Sequence, residues 1–101
     1  MKPLNIEEIE TFLSGNFKGW SAGQNSINRE FKFNSFTEAF SFMTVVALEA
    51  EKLDHHPDWS NVYNKVMIKL NTHSAGGVTE KDFELASKID SIAALYIHAG
   101  K

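Results

Sequence analysis

One stretch limits what this chain can fold into more than any other: Glu51-Lys52-Leu53-Asp54-His55-His56-Pro57-Asp58-Trp59. Before it runs a long apolar-periodic segment. At Pro57 the backbone loses an N–H donor, and the residue before a proline is pushed out of the helical region. The helix must therefore end here, and the chain must turn. Two adjacent histidines at such a turn cannot share one face of a helix or strand. Acids flank them on both sides, and Trp59 adds a flat apolar ring. The rest of the chain reads as a scaffold for this corner.

With 101 residues the sequence has room for one small domain, expected to span residues 1–101. Eight Phe and a 43% hydrophobic share are enough for a packed core. The net charge of −3 argues against a nucleic-acid binder that works by broad phosphate neutralisation. Without cysteine there is no disulfide framework, thiolate zinc site or cysteine nucleophile. Met1-Lys2-Pro3 leads into an acidic helix rather than a secretory leader, and no apolar run approaches a bilayer span. The expectation is a cytoplasmic protein without membrane contact.

Local signals give the element order. Asn5 and Glu8 form a capping box for a first helix over 6–14, with Leu4 and Ile9 as a hydrophobic staple. Its inward stripe is Ile6, Ile9 and Leu13, with Phe12 beside it, and Gly15 is the stop. A hairpin follows: a weak strand over 18–22, a turn over 23–26, then Ile27, Arg29, Phe31 and Phe33 alternating with polar residues. Arg29, on the apolar side of that strand, is an edge residue or a ligand contact. Ser35 and Glu38 form a second capping box, opening a helix over 36–53. Phe36, Ala39/Phe40, Met43, Val46/Ala47, Ala50 and Leu53 make its stripe, and Phe42, Val45 and Leu48 widen it. So wide an apolar face suggests burial on two sides, the second by another subunit or by a deeper core. Glu49 and Glu51 sit near the helix C-terminus, where the dipole disfavours acids.

After the corner, alternation over 62–71 reads as one long strand, ending at Asn71-Thr72-His73 before the loop Ser74-Ala75-Gly76-Gly77. Thr79 and Asp82 open a last helix with stripe Phe83, Ala86, Ile89, Ile92/Ala93 and Tyr96/Ile97, ended by Gly100, with His98 a surface residue. The sum is α+β: three helices packed on one face of a small antiparallel sheet.

The chemistry rests on His55, His56 and His73. A connection of a few residues and one strand can return His73 to the corner. Three readings stand. Three imidazoles and a carboxylate suit zinc, although adjacent ligands give poor tetrahedral geometry and His-Glu-x-x-His is absent. Histidine general acid–base catalysis suits proton transfer alone, since no Ser or Cys nucleophile stands beside it. Glu51 and Asp54 could then fix a tautomer, and Trp59 could flank an aromatic substrate. The third reading is ordinary turn histidines.

Glu51 through Trp59, then Asn61-Val62-Tyr63-Asn64-Lys65-Val66, Leu70-Asn71-Thr72-His73, and Gly77-Val78-Thr79 with Asp82 and Leu85-Ala86, resemble the pterin-4a-carbinolamine dehydratases. The resemblance continues upstream through Phe31-Lys32-Phe33 and Ala39-Phe40-Ser41-Phe42-Met43. It implies dehydration of 4a-hydroxytetrahydropterin to quinonoid dihydropterin, without metal or cofactor, in support of aromatic amino-acid hydroxylases. By similarity His55 and His73 are general acids toward the leaving hydroxyl. His56 binds the pterin and takes part in proton removal from N5. Asp54, Asn71, Thr72 and Ser74 line the site, and Glu51 and Asp82 orient histidines or bind polar ring atoms. The resemblance also implies a short extra strand near His55-His56-Pro57, giving the order α-β-β-α-β-β-α. It implies homodimers or homotetramers joined through the long helix and sheet edge. Some animal members of the family bind a homeodomain transcription factor through that helix, so such a partner is a possible second role.

Overall fold

The computed structural model describes residues 2–96. Its order is α1 (Ile6–Ser14), β1 (Ser21–Gly23), β2 (Ser26–Lys32), α2 (Phe36–Leu53), β3 (Asp58–Val62), β4 (Lys65–Leu70), a 3-10 turn (His73–Ala75) and α3 (Glu80–Ala93). The four strands form one antiparallel sheet in the order β1-β2-β4-β3. This is the α+β arrangement expected, with the implied extra strand present as β3, directly after Pro57. No helix among the described residues is long and apolar enough to cross a membrane.

One side of the sheet carries the core. Ile27, Phe31, Val66, Ile68 and Leu70 are buried there against Ala39, Phe42, Val46 and Ala50 of α2 and Phe83, Leu85, Ala86, Ile89, Ile92 and Ala93 of α3. Ile9 of α1 joins the same cluster. Phe12 stacks on Phe83 with ring centroids 4.4 Å apart, which fixes α1 to α3. The other sheet face bears Asn28, Glu30, Lys32, Lys65, Met67 and Lys69, which register with one another across β2 and β4.

The capping chemistry holds for α1, where Asn5 and Glu8 bond reciprocally, and for α3, where Thr79 and Asp82 do so. In α2 the Ser35 hydroxyl accepts from Glu38 N–H, but the Glu38 carboxylate takes the Asn34 N–H, so the second box is only half formed. Ile6 is exposed rather than inward, because Ile9, Phe12 and Leu13 already fill the contact with the core. In α2 the buried row is Ala39, Phe42, Val46 and Ala50. Phe36, Phe40 (56% exposed) and Leu48 (62%) turn outward. Glu49 pairs with Lys52 at the surface. Helix α3 ends at Ala93 with turns over 94–96; Ile97, His98 and Gly100 lie outside the described residues.

Two strand expectations are corrected. The first hairpin strand begins at Ser21, not Lys18, because Trp20 is buried and its indole N–H donates to Asp90 across the molecule at 3.0 Å. The strand expected over 62–71 is two strands joined at Tyr63-Asn64. Tyr63 takes the left-handed conformation (φ 53°), uncommon for a bulky residue. Asparagines make the turn possible. The Asn61 amide donates to the carbonyls of Tyr63 (3.1 Å) and Lys65 (2.7 Å), while Asn64 donates to Phe33 O at 2.9 Å and accepts from Phe33 N at 2.8 Å.

Arg29 is a paired residue rather than a bare edge one, and it lines an open groove on the sheet. Its guanidinium donates to Asp90 at 3.0 Å and lies 4.4 Å from the Phe31 ring centroid. The absence of a side chain at Gly19 leaves room for it: a Cβ there would stand 2.3 Å from the guanidinium carbon. Burial pushes the Asp90 carboxyl above its usual value, against the opposing pull of the Trp20 hydrogen bond and the Arg29 charge. A carboxyl raised in the folded state holds its proton more tightly there than in the unfolded chain. Its contribution to stability is therefore largest below the unfolded value and is lost as pH rises through the folded one. We expect the stability of the parent relative to Asp90→Asn to fall as pH rises through that acid window, measured by urea unfolding at stepped pH. A relative stability that rises over the window would contradict the assignment.

At the other end of α2 the helix closes on a Schellman motif. Asp54 stands in the left-handed region (φ 51°, ψ 44°), its N–H donates to Glu51 O, and the His55 N–H reaches back to Ala50 O at 3.0 Å. This reversal swings the chain from the helix axis into the histidine corner. Asp54→Val should cost roughly 1–2 kcal/mol, since a β-branched residue resists that conformation, while Asp54→Gly should stay within about 1 kcal/mol of the parent. Urea midpoints that rank the two variants equally would remove the backbone role given to Asp54.

Candidate active site

The αL turn at Asp54 and the 3-10 turn after β4 face a common open hollow of about 470 Å³. Asp54, His55, His56, Asn71, Thr72, His73, Ser74 and Lys81 line it. Its size falls within the range of small-molecule sites. The two parts of the sequence that carry the imidazoles thus meet, as the chain order allowed.

The second part is itself tightly made. Thr72 N–H bonds Gly77 O at 2.8 Å, and Thr72 O accepts from Ala75 and Gly76. Gly76 closes the turn at φ 74°, where a side chain would be strained. His73 is thereby held at the start of the turn, exposed to the hollow. Among the described residues no hydrogen bond engages its ring.

The three imidazoles have three different settings. His55 is nearly covered, its side chain 10% exposed, and Nε2 lies 2.6 Å from Oδ1 of Asp82, which is fully buried. Oδ2 of Asp82 already accepts from Thr72 Oγ1 and from Thr79 N–H, each at 2.9 Å. A carboxylate whose second oxygen takes two donors acts as a pure acceptor, so His55 Nε2 is the donor in this bond. His56 bonds Glu51 at 2.8 Å, Nε2 to Oε1, with both side chains largely in solvent. Screening by water makes that pair a weak tether. Glu51 stands outside the hollow and touches it only through His56. The acid near the helix end therefore does hold a histidine.

Other expected residues divide. Asn71 and Ser74 line the hollow and are exposed. Asp54 lines it without bonding to a histidine ring. Thr72 lines it too, but its hydroxyl is turned inward to Asp82 and Thr79. Asp82 lies beneath His55 rather than on the wall. Trp59 is apart from this hollow: it registers with Ile68 and packs on the core, and it lines a separate open groove on the sheet with Asp58 and Ser60. Among the described residues no group of three or more His, Asp or Glu is arranged to hold a metal ion.

Lys81 is the wall residue that sequence reasoning missed. A signal for it existed: a cation in the first turn of α3 runs against the helix dipole, as the acids at the end of α2 do. It adds a positive charge to a wall otherwise made of imidazoles, small polar groups and Asp54.

Taken together, the hollow offers groups that give and take protons, one of them braced by a buried carboxylate, and among the described residues no serine hydroxyl is hydrogen-bonded to a histidine ring. A family model described as pterin 4 alpha carbinolamine dehydratase matches residues 2–92. A protein of Paraburkholderia xenovorans described under that family's name is 59% identical over 93 residues, covering 90% of this chain and 96% of its own. One from Prochlorococcus marinus subsp. pastoris is 53% identical over 93 residues, covering 91% and 97%. Among solved structures, a transcriptional coactivator/pterin dehydratase from Brucella melitensis superposes with a TM-score of 0.86 at 47% identity, covering 91% of this chain and 99% of that one. A pterin dehydratase-like RuBisCO assembly factor of the alpha-carboxysome shares the fold at 22% identity and a TM-score of 0.64, covering 74% of this chain and 89% of that one. With a family model spanning nearly the whole chain and relatives matched along nearly their full length, the chain belongs to the pterin-4a-carbinolamine dehydratase family.

Proposed function

We propose that the whole chain is one dehydratase domain, working in the cytoplasm, that converts 4a-hydroxytetrahydropterin to quinonoid dihydropterin and water. The observation that carries this reading is the meeting of His55, His56 and His73 around one hollow. The family match and the near relatives support the substrate class.

The chemistry asks for little more than placed protons. The N5 lone pair forms the new double bond to C4a, the C4a–O bond breaks, and the hydroxyl leaves as water after gaining a proton. N5–H surrenders its own proton. One acid and one base therefore suffice, and the adjacent nitrogen already activates the leaving group. His55 and His73, facing the hollow from opposite chain segments, act as acids toward the hydroxyl. His56, on its looser tether to Glu51, binds the pterin and accepts from N5. Asn71, Ser74 and Asp54 meet the polar edge of the ring, and Lys81 stands where an electron-rich ring oxygen would be drawn. Positioned acid–base groups contribute roughly 10²–10⁴-fold. Such a gain suits a step that also proceeds unaided, in support of aromatic amino-acid hydroxylases that release the hydroxylated pterin.

A second, compatible role lies on α2. Phe36 and Phe40 form an exposed apolar patch, with rings 5.8 Å apart, and Leu48 is exposed further along the helix. Strand β3 is a free edge of the sheet. We read the helix patch and the strand edge as contacts with further copies of the same chain, giving a dimer or tetramer. A transcription-factor partner on α2 is the alternative occupant; the Brucella relative carries the coactivator description.

His55→Ala and His73→Ala should each lower kcat by roughly 10-fold or more, while His56→Ala should chiefly raise KM. The readout is the decay of a freshly generated carbinolamine, followed in the ultraviolet with and without protein. Parent-like rates in all three variants would refute the reading.

A further inference from the structure

Thr72 precedes His73 in the chain and stands on the wall of the hollow, yet its hydroxyl points into the protein. Thr72 is 4% exposed. Its Oγ1 donates to Asp82 Oδ2 at 2.9 Å and lies 2.6 Å from Thr79 Oγ1. The direction of that second bond follows from proton counting. Each hydroxyl has one proton. Thr72 gives its proton to Asp82, so it must accept from Thr79. Thr79 Oγ1 in turn accepts the Lys81 N–H at 3.2 Å. The donors therefore run one way: Lys81 N–H to Thr79, Thr79 to Thr72, Thr72 to Asp82. The Thr79 N–H adds a second donor to the same carboxylate oxygen at 2.9 Å.

Rotation of the Asp82 carboxylate would break the bonds to Thr72, Thr79 and His55 together. Among the described residues no buried side-chain nitrogen or oxygen lacks a partner, so no competing donor waits to take their place. With Oδ2 saturated, Oδ1 is left to His55 Nε2.

We propose that Thr72 and Thr79 are positioning residues: a two-hydroxyl relay that locks the Asp82 carboxylate so that His55 keeps its proton on Nε2, and Nδ1 is the nitrogen that takes up a second proton and passes it to the leaving hydroxyl. The kinetic consequence rests on the dehydratase reading; the tautomer does not. The two hydroxyls of the relay face Asp82 and each other, away from the hollow. The relay sets which nitrogen of His55 can work, as hydrogen bonding at one imidazole nitrogen decides the role of the other.

The test uses the ¹⁵N-labelled full chain, with two-bond ¹H–¹⁵N correlations of the imidazoles at a pH where they are neutral. The parent should show His55 as a single Nε2–H tautomer. Thr72→Val keeps the shape and removes the hydroxyl. It should give a mixture of tautomers and lower kcat roughly tenfold, with KM within about twofold. Thr72→Ser, which restores the hydroxyl, should recover both. A parent spectrum with the proton on Nδ1 overturns the relay whether or not the valine variant folds. So does a valine variant with unchanged tautomer and kcat, or equal losses in the valine and serine variants. If the parent shows no dehydratase activity but its tautomer depends on Thr72, the relay stands and the proposed reaction falls.

Discussion

A single buried carboxylate joins three elements around the candidate site. Asp82 is fully covered, and a charge removed from water is costly unless hydrogen bonds replace its hydration. Three donors do so here: Thr79 N–H at the start of α3, Thr72 Oγ1 just past β4, and His55 Nε2 at the exit from α2. Each lies on a different element. The constraint is thus both structural and chemical. The capping bond that starts α3 also orients an imidazole some 27 residues earlier in the chain. Removing one donor would leave the others holding a less well satisfied charge, so the cluster acts as a unit.

The two other histidines contrast with His55 in how they are held. His56 is tethered to an exposed glutamate, and His73 rides on a short turn closed by Gly76. One imidazole is braced by a buried carboxylate, one is tethered at the surface, and one has no hydrogen bond to its ring among the described residues. The wide apolar face of α2 divides in the same manner. One row, Ala39, Phe42, Val46 and Ala50, fills the core, while Phe36, Phe40 and Leu48 remain outside. The outer residues are at least half exposed and stand outside the buried core row.

What the sequence made legible was local. Helix starts were readable because capping boxes are signals confined to four residues: Asn5 with Glu8, and Thr79 with Asp82, bond as expected. The end of α2 was readable from His-His-Pro, and the shared hollow from two short segments that carry the imidazoles. What stayed hidden depends on distance or on unusual backbone. Tyr63 gave no turn signal because bulky residues avoid positive φ, and the two asparagines that stabilise the turn lie on either side of it. The Trp20–Asp90–Arg29 cluster spans 61 to 70 residues, so periodicity could not reveal it, and strand β1 was placed too early as a result. Thr72 lines the hollow as the resemblance implies, but neither resemblance nor alternation says that its hydroxyl turns inward to Asp82 and Thr79. Trp59 was assigned to the site by nearness in sequence, but its register opposite Ile68 takes the ring to the core.

The account stands or falls on the coupling between Asp82 and His55. A double-mutant cycle on kcat for carbinolamine dehydration, with His55→Ala, Asp82→Asn and the pair, measures it directly. If Asp82 acts through His55, adding Asp82→Asn to His55→Ala lowers kcat by no more than about twofold, although Asp82→Asn alone is strongly impaired. Losses that simply multiply in the double variant would mean that the carboxylate and the imidazole work independently, and would contradict the central claim.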